Sequence, residues 1–521
     1  MKKIILLPMN LLAVLVVVIM SASCAGNGGK HVNAIPDNPV LLVKANLKNI
    51  IDDSDVLNNE MITSLVSVAS YQLPNEYRDF VSELMKNPSS IGINIDEPVI
   101  YATLNEERGI FTAEVSDKSA LTNNLNLITE NSIRLVEEGG LTYLDVNEDE
   151  FCLAYNDDMI IALFDNNGIS SKYEIEKYFN YDGRRAVDNA DYKSFFKEND
   201  DFAYMMNGEK MLELFGEEDY YDVAAYMPIL KEVLKGIYYK YDINFEKGCA
   251  VANYEIIGSN EYIDMIKSLV TTPSKRHLKY IPEDAVATAN IALDIESLLP
   301  FIPNGIDVDK LLSAVGLDSS VFKSISGDYT FAVLPAENFR EGKYPQLMFV
   351  ADCADRRIFD LIIQSGGLGE IKYVEDDVYA LNLNKYNEYN YYINGYLKKK
   401  GGYDYFLMYK DNAIFFIPEN IYYSIKDGDG ITSLADSMAD DNTMNRIASG
   451  AVLDFDKLHE TIMGMGEVDE SLAKFAEFCL IFENLVVDMP NSENVEMKLN
   501  LKEKDENFLK YILDMAIENM L

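Results

Sequence analysis

Apolar residues recur along the chain with two distinct periods. A period of two predicts strands at residues 40–47, 99–104, 109–115, 141–146, 151–155 and 159–164. A period near 3.6 predicts helices at residues 59–71 and 75–86, the second of them after Pro74 at the helix start. Strands 99–104 and 109–115 flank a turn and form a candidate hairpin. Because there is no regular βαβ alternation, these elements favour an α+β fold with a mostly antiparallel or mixed sheet covered by helices.

The same series occurs twice in the sequence. The segment Ile35-Pro36-Asp37 precedes the first strand as Ile281-Pro282-Glu283 precedes residues 286–293, at a displacement of 246 residues. Near the other end, Ile263 matches Leu509 at the same displacement, while interior matches lie at 238, 254 and 247 residues. Self-similarity preserved in order through both halves predicts an internal duplication.

The duplication predicts the organisation of the chain. Two tandem similar domains are expected because 521 residues exceed what one core of about 250 to 300 residues holds. The predicted segments are a signal peptide at 1–23, a lipidated cysteine with a flexible tether at 24–34, a first domain at 35–270, a linker at 271–280 and a second domain at 281–521. The change in displacement from 238 to 254 predicts about sixteen extra residues in the second copy, near 382–402.

The amino terminus has the features of an export signal. Lys2 and Lys3 precede an uninterrupted apolar stretch of ten residues, 11–20, which is about half the ~20 residues that a membrane-spanning helix needs. Ser21-Ala22-Ser23-Cys24 follows and resembles the cleavage box of bacterial lipoproteins, in which the cysteine is acylated. Lipidation at Cys24 is therefore predicted; the alternative is an ordinary secretory signal with a coincidental cysteine.

The resemblance extends to a family. The lipoprotein start, the Ile-Pro-Asp or Ile-Pro-Glu opening and the two-copy length resemble the large two-repeat lipoproteins of gut Bacteroidota that are classed as a domain-of-unknown-function family. This resemblance implies a lipid-anchored protein of the cell envelope and supplies no catalytic residues. Because no acidic residue follows Cys24 directly, the expected position is the outer membrane facing the periplasm, with surface exposure left open.

Composition narrows the possible functions. Apolar residues make up 48% of the chain, which predicts a globular protein. The 86 acidic and 45 basic residues give a net charge of -41, which excludes nucleic acid as a partner. The sequence has no P-loop or other nucleotide-binding motif, and we expect no cofactor and no nucleotide.

Few residues are candidates for chemistry. His31, His277 and His459 are too scattered for a metal site or a triad. Asp427 and Asp429 alternate with glycines, which predicts a turn first, with calcium binding as the alternative. Beyond Cys24, the remaining cysteines are expected to be unpaired and buried rather than disulfide-bonded: Cys152, Cys249, Cys353 and Cys479.

One segment is a candidate partner contact, and it coincides with the predicted insertion at 382–402. Its residues are Tyr386, Tyr389, Tyr391, Tyr392, Tyr396, Lys398, Lys399 and Lys400. Exposed tyrosines supply contact area for an envelope protein or a glycan. The alternative is an extended hairpin whose aromatic side chains pair across strands.

The expected function is therefore a non-catalytic binding or scaffold protein of the envelope. The alternative is a carboxylate-dependent hydrolase that acts on an envelope or dietary glycan or peptide. A cleft with two carboxyl groups at about 5 to 10 Å, one of them with a raised pKa, would favour the hydrolase.

Overall fold

The computed structural model describes residues 29–71, 74–129, 133–145, 151–165, 172–212, 227–302, 306–335, 345–365, 370–382, 405–427, 433–437, 449–464 and 468–520. These residues divide into two compact units. The first unit comprises the chain up to Asn260 together with the segment from Lys504 onward, and the second comprises Glu261 to Glu503. In the described part of the chain, no helix has both the length and the apolarity needed to cross a bilayer.

The first unit contains an antiparallel sheet with helices. Its strands are β1 Leu41–Ala45, β2 Val99–Thr103, β3 Arg108–Glu114, β4 Arg134–Glu138, β5 Leu141–Asp145, β6 Phe151–Tyr155, β7 Met159–Asp165, β8 Phe202–Asn207, β9 Tyr238–Glu246 and β10 Cys249–Ile257. Its helices are α1 Leu47–Ser54, α2 Glu60–Ser70, α3 Asn75–Lys86, α4 Lys118–Ile128, α5 Lys172–Phe179, α6 Lys193–Lys197, α7 Gly208–Met211, α8 Met227–Leu234 and the C-terminal Phe508–Met520.

The second unit has a corresponding set of elements. Its strands are β11 Val270–Thr271, β12 Ala287–Leu293, β13 Gly327–Leu334, β14 Gln346–Asp352, β15 Glu370–Glu375, β16 Val378–Asn382, β17 Tyr405–Lys410, β18 Ala413–Pro418, β19 Gly450–Asp454, β20 Phe482–Asp488 and β21 Asn494–Leu501. Its helices are α9 Glu261–Leu269, α10 Val308–Ser313, α11 Ser320–Ser324, α12 Arg356–Gln364, α13 Glu419–Asp427, α14 Leu434–Ser437, α15 Phe455–Met463 and α16 Glu470–Cys479. The C-terminal helix of the first unit is thus α17.

Both sheets pair their strands in the same order. In the first unit the order is β4-β5-β6-β7-β3-β2-β1-β8-β9-β10, with every recorded pair antiparallel. In the second unit it is β15-β16-β17-β18-β14-β13-β12-β19-β20-β21, again antiparallel, and β11 adds a short pairing to β12. The α+β class expected from the sequence is confirmed.

Most predicted elements of the first unit lie where the sequence placed them. The predicted hairpin is formed by β2 and β3, whose residues Tyr101 and Phe111 face each other. Its turn is held locally, because the Asn105 side chain accepts hydrogen bonds from the backbone N–H groups of Glu107 and Arg108 at 3.0 and 2.8 Å. The first strand is shorter than predicted, because helix α1 begins at Leu47.

The core of the first unit lies on both faces of its sheet. Successive residues of a strand point to opposite faces, so Leu42 joins one apolar cluster and Ala45 joins the other. The first cluster also contains Ile100, Ala102 and Ile161. The second also contains Val99, Ala113 and Ile160. Both faces of the central strands therefore contribute residues to an apolar cluster.

The flexible tether was expected to cover residues 24–34, but its carboxyl-terminal part is ordered in the first unit. Residues Lys30–Ala34 form a 3-10 helix, and His31, Val32 and Ala34 are buried in the first unit. The Nε2 atom of His31 lies 2.8 Å from the Pro98 carbonyl oxygen, and burial lowers the pKa of His31 to about 4. The chain is thus packed into the first unit from His31 onward, before strand β1 begins at Leu41.

The linker expected at 271–280 is also corrected, because this segment packs within the second unit. His277 and Leu278 are buried, and the Ser274 hydroxyl donates a hydrogen bond of 2.6 Å to Asp328. The Nε2 atom of His277 lies 2.5 Å from the Asp352 carboxylate. The chain instead changes units between Asn260 and Glu261, and returns between Glu503 and Lys504.

The four cysteines that the structure describes are buried thiols outside any disulfide bond, as the sequence favoured: Cys152, Cys249, Cys353 and Cys479.

A buried ionic cluster joins β1 to α6, to the segment between α6 and β8, and to β9 in the first unit. Lys44, only 1% exposed, donates hydrogen bonds to the Phe195 and Glu198 carbonyl oxygens at 2.8 and 2.7 Å and to the Asp200 carboxylate at 3.1 Å. Lys240 forms ion pairs with Glu198 and, at 3.2 Å, with Asp242. Burial lowers the pKa of Lys44, and Asp200 opposes this effect. The carboxylates of Glu198, Asp200 and Asp242 are close enough to share a metal ion, and the ammonium groups of Lys44 and Lys240 form ion pairs with them.

Replacing Lys44 by Met should lower the free energy of unfolding of the first unit by about 3 to 5 kcal/mol, because Asp200 loses its buried ion pair and Lys240 alone remains beside three carboxylates. Chemical denaturation followed by circular dichroism measures this change. The matched control is Lys235→Met, which removes a lysine from an exposed pair with Glu232 and should cost less than about 1 kcal/mol. Equal losses in the two variants would contradict a special role for the buried cluster.

Candidate functional site

The site residues expected from the sequence fall mostly outside the described residues. Cys24, Asp429 and the tyrosine and lysine segment from Tyr386 to Lys400 all do so. Asp427 is the last residue of helix α13. The strands that flank the tyrosine segment, β16 and β17, pair directly, with Leu381 opposite Tyr405.

The candidate site that the structure itself provides is an apolar cavity of about 480 Å³ in the first unit. Its floor is one face of the sheet, contributed by strands β1, β2, β3, β6, β7 and β8, and helix α4 forms the opposite wall. Its lining residues are Val43, Ala45, Ile91, Ile93, Val99, Tyr101, Phe111, Leu121, Asn124, Leu125, Ile128, Thr129, Leu144, Phe151, Leu153, Ile160, Ala162, Phe164 and Phe202.

Local sequence explains the wall opposite the sheet. Leu121, Leu125 and Ile128 recur at helical spacing, so α4 presents one apolar stripe to the cavity. The Asp117 side chain caps this helix by accepting the Ala120 N–H at 3.0 Å. Gly92 has a φ of 91°, and a Cβ there would lie 2.4 Å from the Leu121 backbone nitrogen. Only glycine therefore lets the turn that carries Ile91 and Ile93 approach the helix so closely.

Small residues in the floor leave the space open. A row across the first sheet runs Val43, Tyr101, Phe111, Ala162 and Leu153. The row at the same place in the second sheet runs Ala289, Phe331, Phe349, Phe416 and Leu407. Ala162 thus occupies the position of Phe416, whose ring stacks on Tyr405 with centroids 4.7 Å apart. A methyl group in the first unit stands where the second unit has an aromatic ring.

The cavity wall offers few polar groups to a ligand. None of its lining residues is charged. The Asn124 side-chain nitrogen donates to the Ser90 carbonyl oxygen at 2.8 Å, and the Thr129 hydroxyl donates to the Leu125 carbonyl oxygen at 2.9 Å. One Asn124 N–H and the Thr129 hydroxyl are therefore used within the protein, and the wall offers a ligand chiefly apolar contact.

An aromatic cluster marks the exposed end of the cavity. Tyr101 is 36% exposed and Phe164 is 40% exposed, whereas Val99 and Ile160 at the other end of the same strands are buried. The rings of Tyr101 and Phe164 meet edge to face at 6.4 Å, and Phe151 lies 5.3 Å from Phe164. The Tyr101 ring lies across Gly109, where a Cβ would come within 2.4 Å of its hydroxyl oxygen.

A second notable group is a pair of carboxyl groups, Asp53 on α1 and Asp201 just before β8. Asp201 is 4% exposed and accepts the Phe245 N–H at 2.6 Å, while the Asn507 amide donates to Asp53 at 2.8 Å. Burial and the neighbouring Asp201 carboxylate raise the pKa of Asp53 to about 7. The two side chains are hydrogen-bonded to each other.

This pair does not have the geometry of a glycoside hydrolase. The two carboxyl groups of such enzymes stand about 5 to 9.5 Å apart, so that a sugar and a water molecule fit between them. Asp53 and Asp201 are in direct contact, and neither lines the apolar cavity. Their hydrogen bonds join α1 to the segment before α17 and join the residue before β8 to strand β9. The pair is therefore part of the unit's internal packing.

Comparison with known proteins assigns the chain to a family. Residues 31–509 match the model of the family described as Domain of unknown function (DUF4836). The chain belongs to this DUF4836 family. A search of curated proteins finds no significant match. Three crystal forms of the protein TP0453 (I, III and IV) are similar at 8 to 9% identity and TM-scores of 0.26 to 0.27; the likeness covers 44 to 45% of this chain and 79 to 83% of theirs. These scores are too low to support an argument.

Sequence reasoning missed the cavity of this DUF4836 protein, although one signal was available. The displacement of 254 residues that aligns β6 with β17 also aligns Ala162 with Phe416. Small residues at strand positions where the other copy has bulky ones would have indicated unfilled space in the first unit. The lone Lys44 within an otherwise apolar strand was the corresponding signal for the ionic cluster.

Asp53→Asn should make the stability of this DUF4836 protein less dependent on pH. Because the folded state raises the pKa of Asp53 from 3.8 to about 7, the stability that this carboxyl group contributes is fully present below pH 4 and is lost as the pH rises through 7. An asparagine side chain at this position would keep both hydrogen bonds without a proton to lose. Asp53 is partly exposed, so we expect a gain over wild type of only ~1 kcal/mol, or about 2 to 4 °C in Tm, on going from pH 5 to pH 8.

Differential scanning calorimetry at both pH values measures this gain. The matched control, Asp79→Asn, removes one carboxylate from an exposed position on α3. A gain of the same size in the control would attribute the effect to net charge and would sink the carboxyl-pair explanation.

Proposed function

We propose that this protein is an exported, lipid-anchored protein of the cell envelope whose first unit binds an apolar ligand without transforming it. The observation that carries this proposal is the cavity of about 480 Å³ between the sheet and α4. Ligand sites are typically concave, largely apolar and a few hundred Å³ in volume. A void of this size in a core costs stability, so its retention favours a use for the space.

The envelope location rests on the sequence. The charged start, the short apolar stretch and the small residues before Cys24 support export and acylation. An anchored protein with this acidic surface is repelled by anionic lipid headgroups. We infer that the protein is held at the outer membrane through Cys24 and faces the periplasm.

We also infer that the two units arose by duplication. The identical strand order and the matching rows of Val43 and Ala289 support this inference. The interior matches at displacements of 238, 254 and 247 residues relate β4 to β15, β6 to β17 and β8 to β19, respectively. On this view the size of a side chain on one sheet face differs between the two copies, with Ala162 in the first unit and Phe416 in the second.

Binding is favoured over hydrolysis by the chemistry of the cavity. None of its lining residues is an acid, a histidine or a cysteine, and its hydroxyl and amide groups are Tyr101, Thr129 and Asn124. General acid and base catalysis requires a titratable group within hydrogen-bond reach of the reacting atoms. Apart from the Tyr101 phenol at the open end, a ligand seated on these walls meets no such group, so we propose that it is carried or sequestered.

Mass spectrometry of protein purified from the membrane fraction of its host tests both parts of the proposal. The mature amino terminus should be an acylated Cys24, and a solvent extract of the protein should contain an apolar molecule in about equimolar amount. An unmodified amino terminus elsewhere would contradict lipidation. An extract without an apolar molecule, combined with failure of the purified protein to bind an uncharged apolar fluorescent dye, would contradict ligand binding.

The tyrosine and lysine segment is our proposed contact with an envelope glycan. Replacing residues 383–402 by a short turn should leave the Tm within about 2 °C, because β16 and β17 already pair at Leu381 and Tyr405. Co-sedimentation with purified peptidoglycan should weaken. A control that changes Lys398, Lys399 and Lys400 to Gln separates charge from the tyrosines. Unfolding of the second unit on deletion would make the segment structural and would overturn the proposal.

A further inference from the structure

The cavity has one closed apolar end and one open aromatic end, and this asymmetry indicates how a ligand lies in it. Building on the proposed function, we propose that the cavity takes a single unbranched acyl chain, tail first. The polar headgroup stays outside, beside Tyr101 and Phe164. The protein thereby recognises the chain and not the headgroup.

The size of the cavity matches one chain. An engineered apolar cavity of about 150 Å³ accepts one benzene ring of six carbon atoms. By proportion, about 480 Å³ has room for roughly 19 carbon atoms. Two chains of ordinary membrane length exceed this volume, so a diacyl lipid fits only if its second chain stays outside.

The wall excludes a headgroup from the interior. A carboxylate, phosphate or ammonium group inside would have no charged partner among the lining residues. Burying such a group unpaired is far more costly than leaving it in water. One N–H of Asn124 already donates to Ser90, and the Thr129 hydroxyl already donates to Leu125. A long methylene chain, in contrast, gains from every apolar contact.

The direction of entry follows from exposure along two strands. β2 and β7 both pair antiparallel with β3 and so run in the same direction. Their residues Val99 and Ile160 are buried, whereas Tyr101 and Phe164 further along are more than a third exposed. From Ile160 to Phe164 the strand advances about 13 Å at a rise of ~3.3 Å per residue. The terminal methyl group therefore lies toward Val99, and the headgroup lies beside the aromatic cluster.

A tyrosine at the opening suits this arrangement. Its ring packs on apolar neighbours while its hydroxyl group can face water or a polar headgroup. Tyr101 is held in place by the edge-to-face contact with Phe164 and by the room above Gly109. The aromatic pair thus forms the boundary between the methylene chain and solvent.

Calorimetric titration of the full mature chain with fatty acids from octanoic to eicosanoic acid, below their aggregation concentrations, tests the ligand class. Each added methylene should tighten binding roughly fourfold until the cavity is full at about 19 carbon atoms, and binding should then level off. Hexadecanoic acid and a lysophosphatidylcholine with the same chain should bind within about tenfold of each other. A larger difference between these two probes would show that the headgroup is recognised and would overturn the inference.

Two variants test whether the acyl chain binds in this cavity. Ala162→Phe introduces the residue found at the same row position in the second unit, and Ala45→Ile does the same, because Ile291 occupies the place of Ala45. Each should weaken hexadecanoic acid binding at least tenfold. Tm should not fall, since the added atoms enter empty space. If Ala162→Phe does not fold, Ala45→Ile carries the test alone.

The control lies on the second unit, which exposes apolar residues on the corresponding sheet face. Phe331→Ser removes a ring that is 39% exposed there and should leave binding unchanged. Loss of binding in this control, or unchanged binding in both cavity variants, would overturn the inference. If no fatty acid binds while the uncharged dye still binds and Ala162→Phe abolishes dye binding, the acyl-chain inference fails and the apolar-ligand function stands.

Discussion

Burial of strand β1 on both faces is the constraint on which the first unit depends. Its alternate side chains serve different purposes, because successive residues point to opposite faces. Lys44 points toward the ionic cluster with Asp200, whereas Val43 and Ala45 line the apolar cavity. A one-residue slip in register would expose the lysine to the cavity and the valine to the ion pairs. The cluster therefore fixes the register that the binding face needs, and Asp200 and Lys240 make the slip costly.

Local features were predictable from the sequence, and non-local ones were not. The β2 and β3 hairpin and helix α3 depend on residues within a few positions of each other. Their predicted bounds therefore agree closely with the observed ones. The cavity depends on register between strands: Ala162 opens space only because β3 places Phe111 beside it and α4 stands opposite. The partners of Lys44 lie more than 150 positions away. No periodicity within β1 could reveal them.

The limits of the units were the least predictable feature of the fold. Helices α9 and α17 both follow the last long strand of a half, and both are amphipathic, so sequence alone assigned each to the strands before it. The structure instead assigns α9 to the second unit and α17 to the first. Asn507 binds Asp53, and Asn59 binds Asp514, so the end of the chain completes helix packing begun near residue 50. The first unit therefore includes residues that are synthesised after the whole of the second unit.

Stability and binding make opposite demands on the sheet face that β1 shares with Ala162. A ring at that position would bury more apolar surface, as Phe416 does beside Tyr405 in the second unit. After the proposed duplication, one copy could keep an aromatic ring at this position, Phe416, while the other kept the methyl group of Ala162. The first unit then needs compensation for its void, and the ionic cluster on the opposite face and the close contact of Gly92 with α4 supply rigidity around it. An empty space persists in a folded protein only when its walls cannot collapse, and here the two walls are fixed by interactions that lie outside the cavity.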